Sequence, residues 1–205
     1  MNDGLSHHDA ELRTGEEPFR GQNVRPALQL IDYWRWSGSM LSDNTTRGDL
    51  AEFLVAAALG LHKNIKRAWD VCDIRMPSNT SIEVKSAAYN QAWKQARPST
   101  IRFGVAPSGS WNAETGKFNE EKRRWSDIYV FCVFEGRNSL DCLDMNKWEF
   151  YVIATSVLDQ EVPQQKTIGL SSLIKLSRHK CSFGDLQDVI LDVEKEIKEN
   201  LPSSL

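Results

Sequence analysis

The 205-residue chain is 40% hydrophobic and 26% charged, with a net charge of −3, a composition ordinary for one globular domain with a real core. No apolar run is long enough to span a bilayer and the N-terminus lacks a signal-peptide core, so a cytoplasmic protein is expected. The charge gives no sign of a nucleic-acid binder, but a local basic groove can outweigh the global balance. Cys72, Cys132, Cys142 and Cys181 form no CxxC pair, which argues for reduced core thiols and against zinc.

Residues 1–25 are polar and aperiodic, and a mobile or loosely attached tail is expected there, with His7 and His8 solvated. Residues 26–205 then form a single domain. Pro26 to Ser37 reads as a short helix with Pro26 in its first turn. Leu28, Ile31, Trp34 and Leu30 point to the core; core packing is the default for the Tyr33, Trp34, Trp36 cluster, with stacking of one exposed ring on a base as the alternative. Residues 42–46, SDNTT, offer several helix caps. The strongest helix runs from Arg47 to Leu59 and ends at Gly60. Leu50, Phe53, Leu54, Ala57 and Leu61 form its apolar stripe, and Val55, Ala56 and Leu59 make a second side. Glu52 falls on that second side. A carboxylate among apolar neighbours needs a partner, either a nearby metal site or a salt bridge to Arg47 or a lysine. His62 to Ala68 is a basic connector or a phosphate contact.

Residues 73–85 read DIRMPSNTSIEVK. Two short alternating strands, Val71 to Arg75 and Ile82 to Lys85, flank a turn at Pro77-Ser78-Asn79. A turn centred on Ser78 sets Asp73 across from Glu83 and puts Cys72 and Ile74 on the apolar face with Ile82 and Val84. A one-residue slip would lose both features. Two carboxylates at cross-strand distance repel unless a cation joins them. Lys85 supplies one charge; Mg²⁺ or Mn²⁺ on the carboxylates, a backbone carbonyl and waters would supply more. Asp70 competes with Asp73 for this role, but strand parity puts it on the opposite face unless a bulge intervenes.

Residues 86–96 suggest a strand end leading into irregular structure, with Lys94 and Arg97 adding charge. Ile101 to Ala106 is a strand candidate. Pro107 to Asn119 reads as a surface loop in which Trp111 packs down or stacks on substrate. The run Glu120 to Arg124 is solvated or turns Lys122, Arg123 and Arg124 towards DNA. Asp127 to Phe134 is a strand buried on both faces in mid-sheet, with Asp127 structural. Trp148 to Ala154 is another strand, and Leu170 to Leu176 a short strand or helical turn. Asp185 to Asn200 is an amphipathic helix with the stripe Leu186, Val189, Ile190, Val193 and Ile197. The chain has no internal repeat, Gly-rich phosphate loop or GxSxG. The order of elements fits an α/β or α+β core, a central mixed sheet flanked by helices.

Asp73 followed by Glu83-Val84-Lys85 resembles the PD-(D/E)XK nuclease signature. The longer run Ile82 to Trp93, IEVKSAAYNQAW, resembles a subset of such proteins in which Tyr-x-Gln-x-Trp follows the motif. The resemblance covers roughly residues 28–135. It departs at Cys72, where the family has a proline that is often missing. It implies a restriction-endonuclease-like fold and a Mg²⁺- or Mn²⁺-dependent DNA endonuclease. Asp73, Glu83 and the Val84 carbonyl are then metal ligands, Lys85 activates water or stabilises the transition state, and Glu52 completes the metal site. Gln91 falls in a region where the family often places a Gln or Lys, and would contact a metal-bound water or a phosphate. A role in restriction, phage defence or repair would follow from the family. The alternatives are a catalytically silent nucleic-acid-binding protein on the same scaffold and an interaction protein whose charges form an ion-pair cluster. A homodimer is compatible with cutting a duplex, which needs two sites or two events.

Overall fold

The computed structural model describes residues 11–22, 28–66, 71–112, 117–177 and 179–200. Two compact units are present: residues 1–39 with 63–65, and residues 40–62 with 66–205.

In the smaller unit, residues 11–22 are tied to α1 (Leu30–Gly38) rather than loosely attached as expected. The Glu17 carboxylate accepts the Thr14 and Gly15 amides at 3.0 and 2.9 Å. The Phe19 amide donates to the Leu28 carbonyl, and the Leu30 and Ile31 amides donate to the Glu17 and Gly15 carbonyls. Gly15 has φ +92°, and a Cβ there would meet the Trp34 ring at 3.0 Å. The helix begins four residues later than expected, where the Asp32 carboxylate accepts the Gln29 amide (2.8 Å). No residue of α1 is buried; Leu28 and Trp34, expected inside, are 44% and 39% exposed.

The larger unit is mixed α/β and built on a five-stranded mixed sheet. Its strands are β1 (Ile74–Arg75), β2 (Ser81–Ala88), β6 (Ile128–Phe134), β7 (Trp148–Ala154) and β9 (His179–Cys181), side by side in that order. Only the β2–β6 pairing is parallel. β6 is buried at every position, as its continuous apolar run requires of a mid-sheet strand.

Alternation along the strands assigns side chains to two faces. On one face Ile82, Val84, Val130, Phe150 and Val152 pack with α2 (Asn44–Ala58) and α5 (Leu186–Asn200). On the other, Tyr129, Phe131, Tyr151 and Ile153 pack with Phe103, Ile168, Leu158 and Leu173. These come from β3 (Arg102–Gly104), β8 (Thr167–Gly169), α3 (Thr155–Glu161) and α4 (Leu170–Leu176), with β3 and β8 forming their own antiparallel ribbon.

α2 is capped by the Asp43 carboxylate, which accepts the Thr45 amide at 3.0 Å. Its end is a left-handed turn at Gly60 (φ +71°), where the Gly60 and Leu61 amides return to the Ala57 and Ala56 carbonyls. The buried stripe is Arg47, Ala51, Leu54 and Val55, rotated from the expected one. Phe53 is 51% exposed and meets His62 edge-on. The swing brings Arg47 inward, where it donates to the Ser42 carbonyl, Asn44 and Ser86.

The expected loop at 107–119 and the charged run after it form an antiparallel hairpin, β4 (Ser108–Asn112) and β5 (Lys117–Arg123), with a register shift between Ser108 and Ser110. Both strands are polar, so no apolar alternation announces them. The Phe118 ring lies so close over Gly109 that a Cβ there would come within 2.5 Å of it. All four cysteines are buried and no disulfide joins them. Among the described residues no helix is long and apolar enough to cross a membrane.

Candidate active site

The motif hairpin folds in the expected register, Ile74 opposite Ile82 and Arg75 opposite Ser81. Its turn is closed by the Met76 amide on the Thr80 carbonyl and the Asn79 amide on the Met76 carbonyl, with Asn79 at φ +69°. Asn is among the few residues that tolerate this conformation. Regular pairing stops before Asp73. Its amide donates to the Ile82 carbonyl at 3.1 Å, one residue out of step with the Ile74–Ile82 pair, as at a β-bulge. Asp73 therefore sits in a bend ahead of β1, and its carboxylate accepts the Val84 amide at 2.7 Å. In extended backbone the N–H and C=O of one residue share a strand edge, so the Val84 carbonyl also faces this side.

Glu83 and Lys85 project from β2 on the face shared with their register partners Tyr129 and Phe131. The Lys85 ammonium is ion-paired with Glu83 Oε1. The Ser126 hydroxyl donates to Glu83 Oε2 at 3.3 Å. Asp73, Glu83 and Lys85 line one cleft of about 520 Å³ together with Cys72, Tyr129, Trp125 and the β4 backbone. Cys72 is buried but borders this cleft, not the helix-packed core where alternation assigned it. The same bulge explains this, because it breaks the period-two pattern.

Burial and then the nearby charge of Glu83 push the Asp73 carboxyl up to about 6, against the pull of the Val84 amide; Glu52 adds to the rise and Lys85 opposes it. Burial, followed by Glu83, also raises the Tyr129 phenol. The cleft thus holds two acids whose mutual repulsion is incompletely compensated.

Glu52 is not among the residues lining the cleft. Its Oε2 lies 2.8 Å from Lys66 Nζ, which also meets Asp49 at 2.6 Å. A lysine is thus its partner, and Arg47 is not. Burial works against the Lys66 charge, yet the bonds to Asp49 and Glu52 hold its pKa above the usual value. Gln91 is separated from the acids. It lies beyond the far end of β2, and Glu83 to Ala88 alone spans roughly 16 Å. Its side-chain amide donates to the Ala88 carbonyl (2.9 Å) and to Ser99 (3.3 Å), so it closes a local loop. Asp70 and Arg67 lie outside the described residues, as does the Trp111 side chain.

Of the three basic residues expected to face DNA, Lys122 is exposed and Arg123 lies over the Trp125 ring at 3.9 Å. Arg124 is buried, donating to the Val105 and Val162 carbonyls at 2.8 Å and pairing with Asp159, which pins β5 to the helical side. Asp127 is structural as expected, accepting the Ser81 amide and hydroxyl at 2.9 and 2.7 Å. Ser126, Tyr129 and Trp125 were missed because strand order decides that they border the acids, and no local sequence signal reports strand order.

Among the described residues no three His, Cys, Asp or Glu side chains gather into one metal-binding group. The donor set is smaller: Asp73, Glu83 and a main-chain carbonyl. Such a set fits Mg²⁺, which keeps several waters and takes one or two carboxylates. Among the described residues, the fold and the site define a mixed α/β protein with a cleft lined by Asp73, Glu83, Lys85 and Arg124. No protein-family model matches the chain, and the search of curated proteins finds no match.

Proposed function

We propose that the chain is a Mg²⁺- or Mn²⁺-dependent nuclease of the PD-(D/E)XK type on a restriction-endonuclease-like scaffold, cleaving DNA phosphodiester bonds. The observation that carries this is the convergence of Asp73, Glu83 and Lys85 on one cleft, with Asp73 held against its preferred charge balance. The position of α2 behind the motif strand supports the scaffold.

In this reading Asp73, Glu83 and the Val84 carbonyl would hold the ion, which would supply Lewis-acid polarisation of the phosphate and a lowered pKa for bound water. The Val84 amide fixes Asp73. Ser126 orients the second oxygen of Glu83. Lys85, shared with Glu83, orients the attacking water or neutralises charge developing on the phosphate. Glu52, held by Lys66, adds negative field without lining the cleft. DNA is the partner, and two copies of the chain would serve both strands of a duplex.

The test is cleavage of supercoiled plasmid and single-stranded DNA with Mg²⁺ or Mn²⁺, wild type beside Lys85→Ala. Metal-dependent nicking lost in the variant supports the reading. Absence of cutting by the wild type across substrates and both metals sinks it. The Lys85–Glu83 ion pair favours one alternative, an interaction protein in which these charges form a structural ion-pair cluster. That alternative expects no rise in Tm with Mg²⁺.

A further inference from the structure

The cleft has a wall that the acids do not explain. Five small residues, Gly104, Ala106, Ser108, Gly109 and Ser110, also line the cleft, together with Arg124. A Cβ added at Gly104 would meet nothing within 4 Å. Trp125, partly exposed, borders the same space. Its indole N–H donates to the Ser108 carbonyl at 2.7 Å, which fixes the ring against β4. Arg123 covers the indole at 3.9 Å. Arg123 borders only the neighbouring shallow cleft, whereas Trp125 borders both.

The result is a half-open cleft lined by a fixed aromatic ring, small residues and the acid–lysine set. An aromatic platform stacks only on a base whose face is free, so a paired base gains nothing from it. A recessed site that must accept a base is reached by a single strand or an extruded nucleotide at less cost than by intact duplex. We infer that Trp125 is a base-stacking residue and that the cleft takes single-stranded nucleic acid in preference to duplex. This rests on the nuclease reading for the role of the acids, but not for the stacking.

The experiment is fluorescence anisotropy with a labelled oligonucleotide of about 16 residues, a length matched to single-strand sites, as a single strand and as a duplex. Ca²⁺ replaces Mg²⁺ so that oxygen ligands are filled. The proteins are wild type, Trp125→Ala and Trp125→Phe; Phe keeps the stacking face and loses the bond to Ser108. Wild type should bind the single strand more tightly. Trp125→Ala should weaken that binding roughly 5- to 100-fold and leave duplex binding nearly unchanged, while Trp125→Phe retains most of it. Equal or tighter duplex binding overturns the inference, as does no binding to either form. So does a loss in Trp125→Phe matching that in Trp125→Ala, which would make the residue a strut for β4. Cleavage of the same oligonucleotides in Mg²⁺ separates the two ideas. Trp125-dependent binding without cleavage sinks the nuclease reading alone, and cleavage with Trp125-independent binding sinks this inference alone.

Discussion

The β1–β2 hairpin carries a carboxylate problem at each end, solved in opposite ways. At the turn, Glu194 of α5 is buried and accepts the Ser78 and Thr80 hydroxyls, and Lys198 sits 2.9 Å away. Burial opposes its charge, but these partners hold its pKa down at about 2. At the open end, Asp73 has one backbone amide and a neighbouring Glu83, and its pKa goes up to about 6. Glu194 is satisfied and clamps helix to hairpin. Among the described residues, burial and the charge of Glu83 outweigh the Val84 amide and Lys85 at Asp73, and a carboxylate perturbed in this way in a cleft is a functional-site candidate.

Substitutions separate the two regions. The largest effect expected is on activity: Asp73→Asn should lower DNA cleavage by roughly two to four orders of magnitude, since the ion it would hold is worth several kcal/mol of transition-state stabilisation, measured by single-turnover assay. The same variant should raise the stability of the metal-free protein at pH 8 by on the order of 1–3 kcal/mol, because it removes a charge whose ionisation is penalised by burial. Urea melts in EDTA read this, and a fall in stability would break the contrast. Glu194→Ala should do the reverse, costing roughly 1–3 kcal/mol by leaving the buried Thr80 hydroxyl without its acceptor while the cleft keeps its Mg²⁺-dependent rise in Tm.

The pH dependences should run in opposite directions. Glu194 has a depressed folded pKa, so its stabilisation is complete above about 4.5 and is lost as pH falls towards about 2. Glu194→Gln should flatten that acid limb. Asp73 has a raised folded pKa, so without divalent metal stability falls as pH rises from about 4 through about 6. Asp73→Asn should remove that second slope. The smallest effect is expected at the far end of β2. Gln91→Ala should leave cleavage as in wild type and cost about 1 kcal/mol from its local bonds; a large loss of activity would restore Gln91 to the site.

Much of the site region was legible because it is local. The β1–β2 register follows from one turn and one alternating pattern, and Ile74 does face Ile82. The buried mid-sheet strand and α5, with Leu186, Ile190 and Val193 inside, follow from hydrophobic period. The bulge at Asp73 was not legible, since it is a hydrogen-bond choice invisible in side-chain pattern. It moved Cys72 to the cleft and made the parity argument against Asp70 rest on a regularity that does not hold. The hairpin β4–β5 was misread as loop because its strands are stabilised by backbone pairing with little burial. The family resemblance points to Gln91 at the site, yet an extended strand carries a residue away by about 3.3 Å per step.

Two carboxylates and a lysine drawn together by one turn, an apolar strand for mid-sheet and two amphipathic or capped helices are properties of sequence alone, because each depends on neighbours a few residues apart. Tertiary structure decided the rest. The parallel pairing of β2 with β6 brings Tyr129 and Ser126 beside Glu83. The packing of α2 gives Glu52 to Lys66, and the crossover hairpin sets Trp125 at the mouth of the acids. Those contacts join residues from 14 to 43 or more positions apart. Their geometry is set by how the layers close over the shared core, which no local period encodes.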